Sequence, residues 1–325
     1  MNWDIERCII FETVFGSQVY GVSTSESDED YRGVCIPPWQ IRDSLLINFE
    51  QKDKWEGEYK DRVIYNIKKF FQLCKEANPA IIEFLFIPSK FWVKSKKIWD
   101  DVLEIRHLFI SKKVKHTFTG YAHAQLRRIK MHRNWLLNPP KEHPTREGFG
   151  LPANPKLSSE QMSAILTIPK DVILSEYKEE ARKEKHYYEA KRYWDMYENW
   201  KKNRNPDRAK LEEKYGYDTK HAMHLVRLMY EGEEILLTGN ITFPRPEKEE
   251  LLAIRNGIYS YEQLMEKVEH FDVRFEELYE KSILPHIPNV VKINEKYLEI
   301  IQFYDASNSC RDCLRPANFL EGGRR

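Results

Sequence analysis

Cysteine, glycine and an excess of charge are all scarce in this chain, and each shortage excludes something. Five cysteines in 325 residues are too few, and the wrong parity, for a disulfide-built scaffold. Cys8, Cys35 and Cys74 lie in apolar surroundings, as small buried hydrophobes do. Cys310 and Cys313 form the only C-x-x-C; with no second Cys or His pair nearby they read as reduced thiols, not half of a zinc site. No run approaches the roughly 20 apolar residues of a membrane span. The first residues carry acids early and lack the succession of basic, apolar and small residues that marks a signal peptide. A cytoplasmic protein with no membrane partner is the expectation. Neither an internal repeat nor a low-complexity tract is visible.

Net charge is also nearly absent: 52 Lys and Arg against 51 Asp and Glu leave 52 − 51 = +1. That total argues against a nucleic-acid protein, but it conceals an asymmetry. Residues 1–60 carry six basic and twelve acidic side chains, whereas residues 111–133 carry seven basic ones and no acid.

What is present is enough for about two domains, with 41% hydrophobic residues to build a core and 32% charged residues to cover it. Ile9 to Phe15 reads as a buried strand that ends at Gly16-Ser17, and Asp30 to Pro37 as a second strand. Residues 50–60 form a charged connection. Tyr65 to Ala77 has helical spacing with Ile67, Phe70, Phe71 and Cys74 on one side. Asn78-Pro79 stops that helix, and Ala80 to Ile87 reads as a short apolar strand holding one acid, Glu83. This order gives an α+β protein: a small mixed-sheet domain over 1–110, followed by a mostly helical domain over 111–325. In the second part His116–Leu137, Ser175–Asn203, Asp218–Gly232 and Tyr261–Ser282 read as helices, with a short extended piece near Ile241–Phe243. Asn138–Ser159, with five prolines, reads as a loop.

The chemistry concentrates between Val14 and Gly33. Gly16 and Gly21 have the G-x-x-x-x-G spacing of a phosphate loop, but Val22 and Ser23 stand where such a loop needs Lys and Ser or Thr, so that reading fails. What remains is Gly-Ser at a strand end, then Asp28-x-Asp30 entering another strand. Aspartates two apart on an extended chain point to one side, where mutual repulsion is relieved by a cation. Hard carboxylate oxygens suit Mg²⁺ bound partly through substrate phosphates. Gly16 lets a phosphate approach the backbone, and Ser17 offers a hydroxyl and an N–H.

This constellation resembles the polymerase-beta-like nucleotidyltransferases, whose motif is hydrophobic-Gly-Ser followed by Asp-x-Asp. The longer pattern through Tyr20-Gly21 and Ser27-Asp28 to Tyr31-Arg32-Gly33-Val34 is similar to the RlaP/YcgL type, linked to RNA repair. Ile64-Tyr65 with Lys69-Phe70, Asn78-Pro79 with Glu83-x-Leu85-Phe86, and Tyr215 to Arg227 fit that type as well. The resemblance implies a Mg²⁺-dependent enzyme, with two ions and Mn²⁺ as a substitute, that transfers a nucleoside monophosphate from a nucleoside triphosphate to a hydroxyl. An RNA end, plausibly of a tRNA, is the implied acceptor; a protein or small-molecule hydroxyl is the alternative, as is an inactive nucleotide- or RNA-binding regulator. The intact Gly16, Ser17, Asp28 and Asp30 speak against the inactive form.

Such enzymes use a third carboxylate. Glu83, an acid isolated among apolar residues that needs a partner or a metal, is favoured, and Asp61 is the rival. Arg32 falls on the same face as Asp30 and is read as a structural partner of an acid. Lys220, His224 and Arg227 share one helical face and are candidates to clamp the triphosphate; His221-x-x-His224 lacks a third zinc ligand. Lys112, Lys113, Lys115, Arg127, Arg128, Lys130 and Arg133 are the candidate RNA contacts, with Tyr121, His123 and Trp135 beside them to stack on bases. The aromatic stripe of 187–200 reads as helix packing.

Overall fold

The computed structural model describes residues 3–25, 27–55, 61–155, 158–169 and 175–307. The C-x-x-C of Cys310 and Cys313 lies outside them. Cys8, Cys35 and Cys74 are all buried.

The described chain forms a five-stranded mixed sheet followed by a mostly helical region. The strands are β1 (Ile9–Phe15), β2 (Asp30–Cys35), β3 (Gln51–Lys52), β4 (Arg62–Asn66) and β5 (Trp92–Ser95), in the order β3-β4-β2-β1-β5. β1 is antiparallel to β2 and β5, and β2 is parallel to β4. β1 matches its expected bounds because it is an interior strand of β-branched and aromatic residues covered on both faces. Phe11 stacks on Trp99 with ring centroids 4.0 Å apart, and Phe15 meets Phe84 at 5.4 Å.

Two expectations for this region are corrected. The segment read as the start of a helix at Tyr65 is the end of strand β4; the helix begins at Ile67, where the Asn66 side chain accepts from the Lys68 N–H and caps it. It runs to Lys75 and buries Ile67, Phe70, Phe71 and Cys74, the face expected of it. Ala80–Ile87 is not a strand. Pro79 opens a single helical turn (Pro79–Ile82) that tightens into a 3₁₀ turn over Glu83–Phe86. Its apolar run reflects burial on several sides: Phe84 packs against Phe11, Phe15, Tyr65 and Phe70. Periodicity cannot distinguish so short a buried coil from a buried strand.

Four helices carry or flank the functional residues: α1 (Ser17–Tyr20), α2 (Lys113–Leu137), α3 (Ser175–Asn203) and α4 (Thr219–Thr238). Tyr261–Lys281 is helical as expected, and Val290–Ser307 adds a helix that the sequence did not suggest. Ile241–Phe243 forms no strand.

Two compact units divide the chain. One combines residues 1–127 with 219–325, and the other is 128–218. The segment 111–325, read as one helical domain, is therefore shared between them, and α2 runs from the first unit into the second. In the 128–218 unit the aromatic stripe packs as expected: Trp135 meets Tyr193, Tyr197 and Trp200 at 5.3–5.9 Å.

Candidate active site

Three chain ends meet at one edge of the sheet. β1 finishes at Phe15, opposite Asp30, the first residue of β2. β4 runs parallel to β2 with Arg62 beside Tyr31, so Asp61 lies beside Asp30 at the head of the neighbouring strand. The Asp61 carbonyl accepts from the Tyr31 N–H at 3.0 Å. Asp28 is exposed and precedes β2 instead of lying within it.

Gly16 closes the first chain end, with Asp30 packed against it. Its φ of +72° is unfavourable for residues with a Cβ, and a Cβ there would stand 2.6 Å from Asp30 Oδ2. The glycine thus lets the carboxylate lie directly against the backbone. Ser17 follows at the start of the single-turn α1, whose Tyr20 N–H donates to the Gly16 carbonyl at 3.1 Å.

The electrostatics of this edge centre on Asp30. Burial pushes its carboxyl above the ordinary range; Asp61 and Asp28 push the same way, while Arg32 and Lys220 pull it back. Asp61 and Asp28 therefore both sit close enough to repel Asp30. Arg32 Nη2 approaches Asp30 Oδ1 at 3.8 Å, and its Nη1 donates to the carbonyls of Tyr31 and Asp61 at 2.9 and 2.8 Å. It bridges the β2 and β4 backbones, in keeping with a structural role. Glu29 turns away and accepts from the Tyr31 hydroxyl at 2.6 Å. Lys220, at the start of α4, brings a positive charge to this edge from nearly two hundred residues further along the chain.

Glu83 is engaged elsewhere. It is buried, and its two carboxylate oxygens accept from the Tyr20 hydroxyl and from Arg227 Nη1, each at 2.7 Å. The same Arg227 nitrogen donates to both oxygens of Glu231 at 2.7 and 2.8 Å, and the guanidinium lies 3.9 Å from the Tyr20 ring centre. The isolated acid in the apolar run does have the partner that its burial demands, and that partner is Arg227. Arg227 in turn faces the interior, because α4 buries that side of its surface. His224 is half-buried one turn after Lys220. Glu231 went unnoticed in the sequence, although it stands four residues after Arg227 on the same helix face.

Two carboxylates share one guanidinium in this closed cluster. Burial and the neighbouring Glu83 outweigh the pull of Arg227, so the Glu231 carboxyl is pushed up to about 8. The Tyr20 hydroxyl is raised well above its ordinary value, first by burial.

The basic stretch is less open than its composition suggests. Lys113 pairs with Glu76, and Lys115 with Glu276 at 2.6 Å. Lys112 is buried, with its ammonium 5.4 Å from the Tyr279 ring centre. His123 faces Asp272 at 2.9 Å, and Tyr121 accepts from Asn78 at 2.8 Å. Arg133 donates to the Gly216 carbonyl at 2.8 Å. Arg127, Arg128 and Lys130 are exposed, and Trp135 is buried. No described helix is long and apolar enough to cross a membrane.

Comparison with known proteins covers the region that holds this edge. Residues 2–137 match the family model described as RlaP, RNA repair pathway DNA polymerase beta family. A protein of Enterobacteria phage T4, named as an uncharacterized 38.9 kDa protein in the nrdC-mobD intergenic region, is 29% identical over 127 residues. The alignment spans 36% of this chain and 37% of the phage protein. No solved structure matches the chain. The matched region holds all five strands, Gly16, Ser17 and the three aspartates of the sheet edge. Over residues 2–137, the chain is therefore similar to the polymerase-beta-like family that this model describes.

Proposed function

We propose that the chain is a divalent-metal-dependent nucleotidyltransferase that moves a nucleoside monophosphate from a nucleoside triphosphate to a hydroxyl at an RNA end. The observation that carries this reading is the convergence of Asp28, Asp30 and Asp61 at one sheet edge, with the Asp30 carboxylate against Gly16. The Asp30 carboxyl, raised first by burial and further by Asp61 and Asp28, fits a cation site, because a bound cation offsets both the lost solvation and the repulsion. Carboxylate oxygens are hard ligands that suit Mg²⁺ or Mn²⁺.

Asp28, Asp30 and Asp61 are the residues that would hold such ions, and Asp61 replaces Glu83 as the third carboxylate in this reading. When bound there, the ions supply Lewis-acid stabilisation of negative charge on the phosphoryl oxygens. Asp61 accepts the proton of the attacking hydroxyl. Gly16 lets the Asp30 carboxylate lie against the backbone, and Ser17 presents its hydroxyl and N–H to a phosphate. Lys220 offsets charge on the triphosphate. Arg32 keeps β2 and β4 in register and so positions Asp30 and Asp61 relative to each other. The description of the matching family model and the exposed Arg127, Arg128 and Lys130 support RNA as the acceptor.

Incubation with each α-labelled triphosphate, Mg²⁺ and either total RNA or total protein tests the reading. Label on RNA that disappears with Asp30→Asn is the expected result. Label on protein would replace the acceptor, and label on neither would remove the activity.

A further inference from the structure

The 128–218 unit contains a cavity of about 350 Å³ that the transfer chemistry does not use. This volume is at the small end of the roughly 300–1,000 Å³ typical of ligand sites, the size for one ring system and its substituents. Its walls are aromatic. His132, Trp135 and Trp200 surround one another at ring distances of 5.3–5.6 Å, and Trp200 remains partly exposed to the cavity side of the unit.

The charges lining the cavity are already compensated. Arg204 pairs with buried Glu212 at 2.7 Å while lying over the Trp200 ring at 4.8 Å, and Arg208 approaches buried Asp218 at 3.5 Å. Two cations against two acids give no strong preference for an isolated anion. Hydrogen-bonding capacity, in contrast, is left over. Trp135 and Arg208 line the cavity, and their indole N–H and Nε, each buried, have no acceptor among the described residues. A buried donor without an acceptor costs free energy, which a ligand acceptor recovers once the side chain turns the donor toward the cavity. At the rim stand the exposed carboxamides of Asn199 and Asn203, which offer donors and acceptors together.

A flat, uncharged ring with acceptor atoms on its edge satisfies all of these features at once. We infer that the cavity binds a nucleobase, stacked on the aromatic wall at Trp200 and read along its edge by Asn199 and Asn203. The base arrives either on a single RNA strand or as a free nucleoside or nucleotide. The cavity lies in the other unit and uses none of the three aspartates, so base binding there is independent of the proposed transfer reaction.

The test uses the full chain in EDTA, so that no metal-held triphosphate contributes. Binding of the four ribonucleosides is followed by calorimetry, and that of short oligoribonucleotides by fluorescence anisotropy, each at two salt concentrations. Nucleosides are expected to bind with little salt dependence, because the recognised group is uncharged. Trp200→Leu is expected to weaken binding about ten-fold or more, the scale of one base stack, while Trp200→Phe retains most of it. Loss of oligonucleotide binding together with nucleoside binding identifies a strand as the source; binding of nucleosides alone identifies the free compound. Asn199→Ala, at an exposed position, is expected to change the ranking of the four bases even if Trp200→Leu does not fold. No binding of either probe at millimolar concentration, an unchanged affinity in folded Trp200→Leu, or an unchanged ranking in Asn199→Ala overturns the inference. So does affinity that collapses with salt, which would assign binding to phosphate.

Discussion

Two acid clusters in the same compact unit illustrate opposite solutions to one electrostatic problem. At the sheet edge Asp28, Asp30 and Asp61 crowd together, with Arg32 and Lys220 as the nearby cations. In the interior Glu83 and Glu231 crowd around Arg227 with Tyr20 alongside. The interior set closes on itself: each carboxylate has a donor, and the surplus negative charge is removed by keeping a proton on Glu231. The edge set stays open, with Asp28 and Asp61 exposed and Asp30 half-buried. A closed cluster contributes to the fold. An open one stores repulsion that a cation can relieve, and that is what a metal-dependent enzyme requires.

Neutralising one member of each set separates the two clusters most clearly. Asp30→Asn and Asp61→Asn are expected to lower nucleotidyl transfer by about 10³-fold or more, since several kcal/mol of charge stabilisation depend on them. Glu83→Gln is expected to leave the folded fraction active. Steady-state rates on labelled RNA check this, and a dead, fully folded Glu83→Gln with an active Asp61→Asn would exchange the roles of the two acids. Asp30→Asn is also expected to raise the melting temperature in the absence of metal, as it removes a repelled, partly buried charge.

A smaller effect, on stability, is expected in the interior set. Arg227→Met leaves two buried acids without their cation and is expected to cost about 3–5 kcal/mol in denaturant unfolding. Glu231→Gln carries a pH signature. Its folded pKa of about 8 exceeds the ordinary 4.5, so protonated Glu231 favours the native state fully below about pH 4.5. That contribution decays as pH rises, until it is lost above about pH 8. Melting temperature across this window should therefore fall less steeply in Glu231→Gln than in the parent chain. Parallel curves would show that the surplus charge is neutralised elsewhere.

The smallest effect concerns RNA. Lys113 and Lys115 are already paired with acids, so reversing them is expected to change RNA affinity less than reversing Arg128 and Lys130 together. Anisotropy against salt reads the difference, as each lost phosphate contact to a single strand lowers the slope by about 0.7. Equal effects would return the whole stretch to the role its composition suggests.

The edge site is legible in the sequence because its parts are local. Gly16, Ser17, Asp28 and Asp30 fall within fifteen residues, and their spacing already defines a strand end and a strand start. Asp61 is legible only as a rival. Its claim depends on the parallel pairing of β2 with β4, a non-local fact that the short charged connection before it conceals. Glu83 reads as an acid in need of a partner or a metal, and the structure supplies partners in Arg227 and Tyr20. Burial requires that a partner exist but does not identify it. Arg227 reads as part of an open basic face for a related reason: helical spacing gives which residues share a side, and tertiary packing decides which side is buried. Composition misleads most along residues 111–133, where Glu76 and Glu276 offset two of the seven basic charges across space.

The pairing of Glu83 with Arg227 spans 144 positions, and this separation has a meaning for biosynthesis. A ribosome adding about 5–20 residues per second exposes Glu83 many seconds before it supplies the arginine that neutralises it. During that interval the nascent sheet carries an acid with its permanent counter-charge still to come, and residues 128–218 are completed first. The ion pair between Glu83 and Arg227 can therefore form only after α4 has emerged.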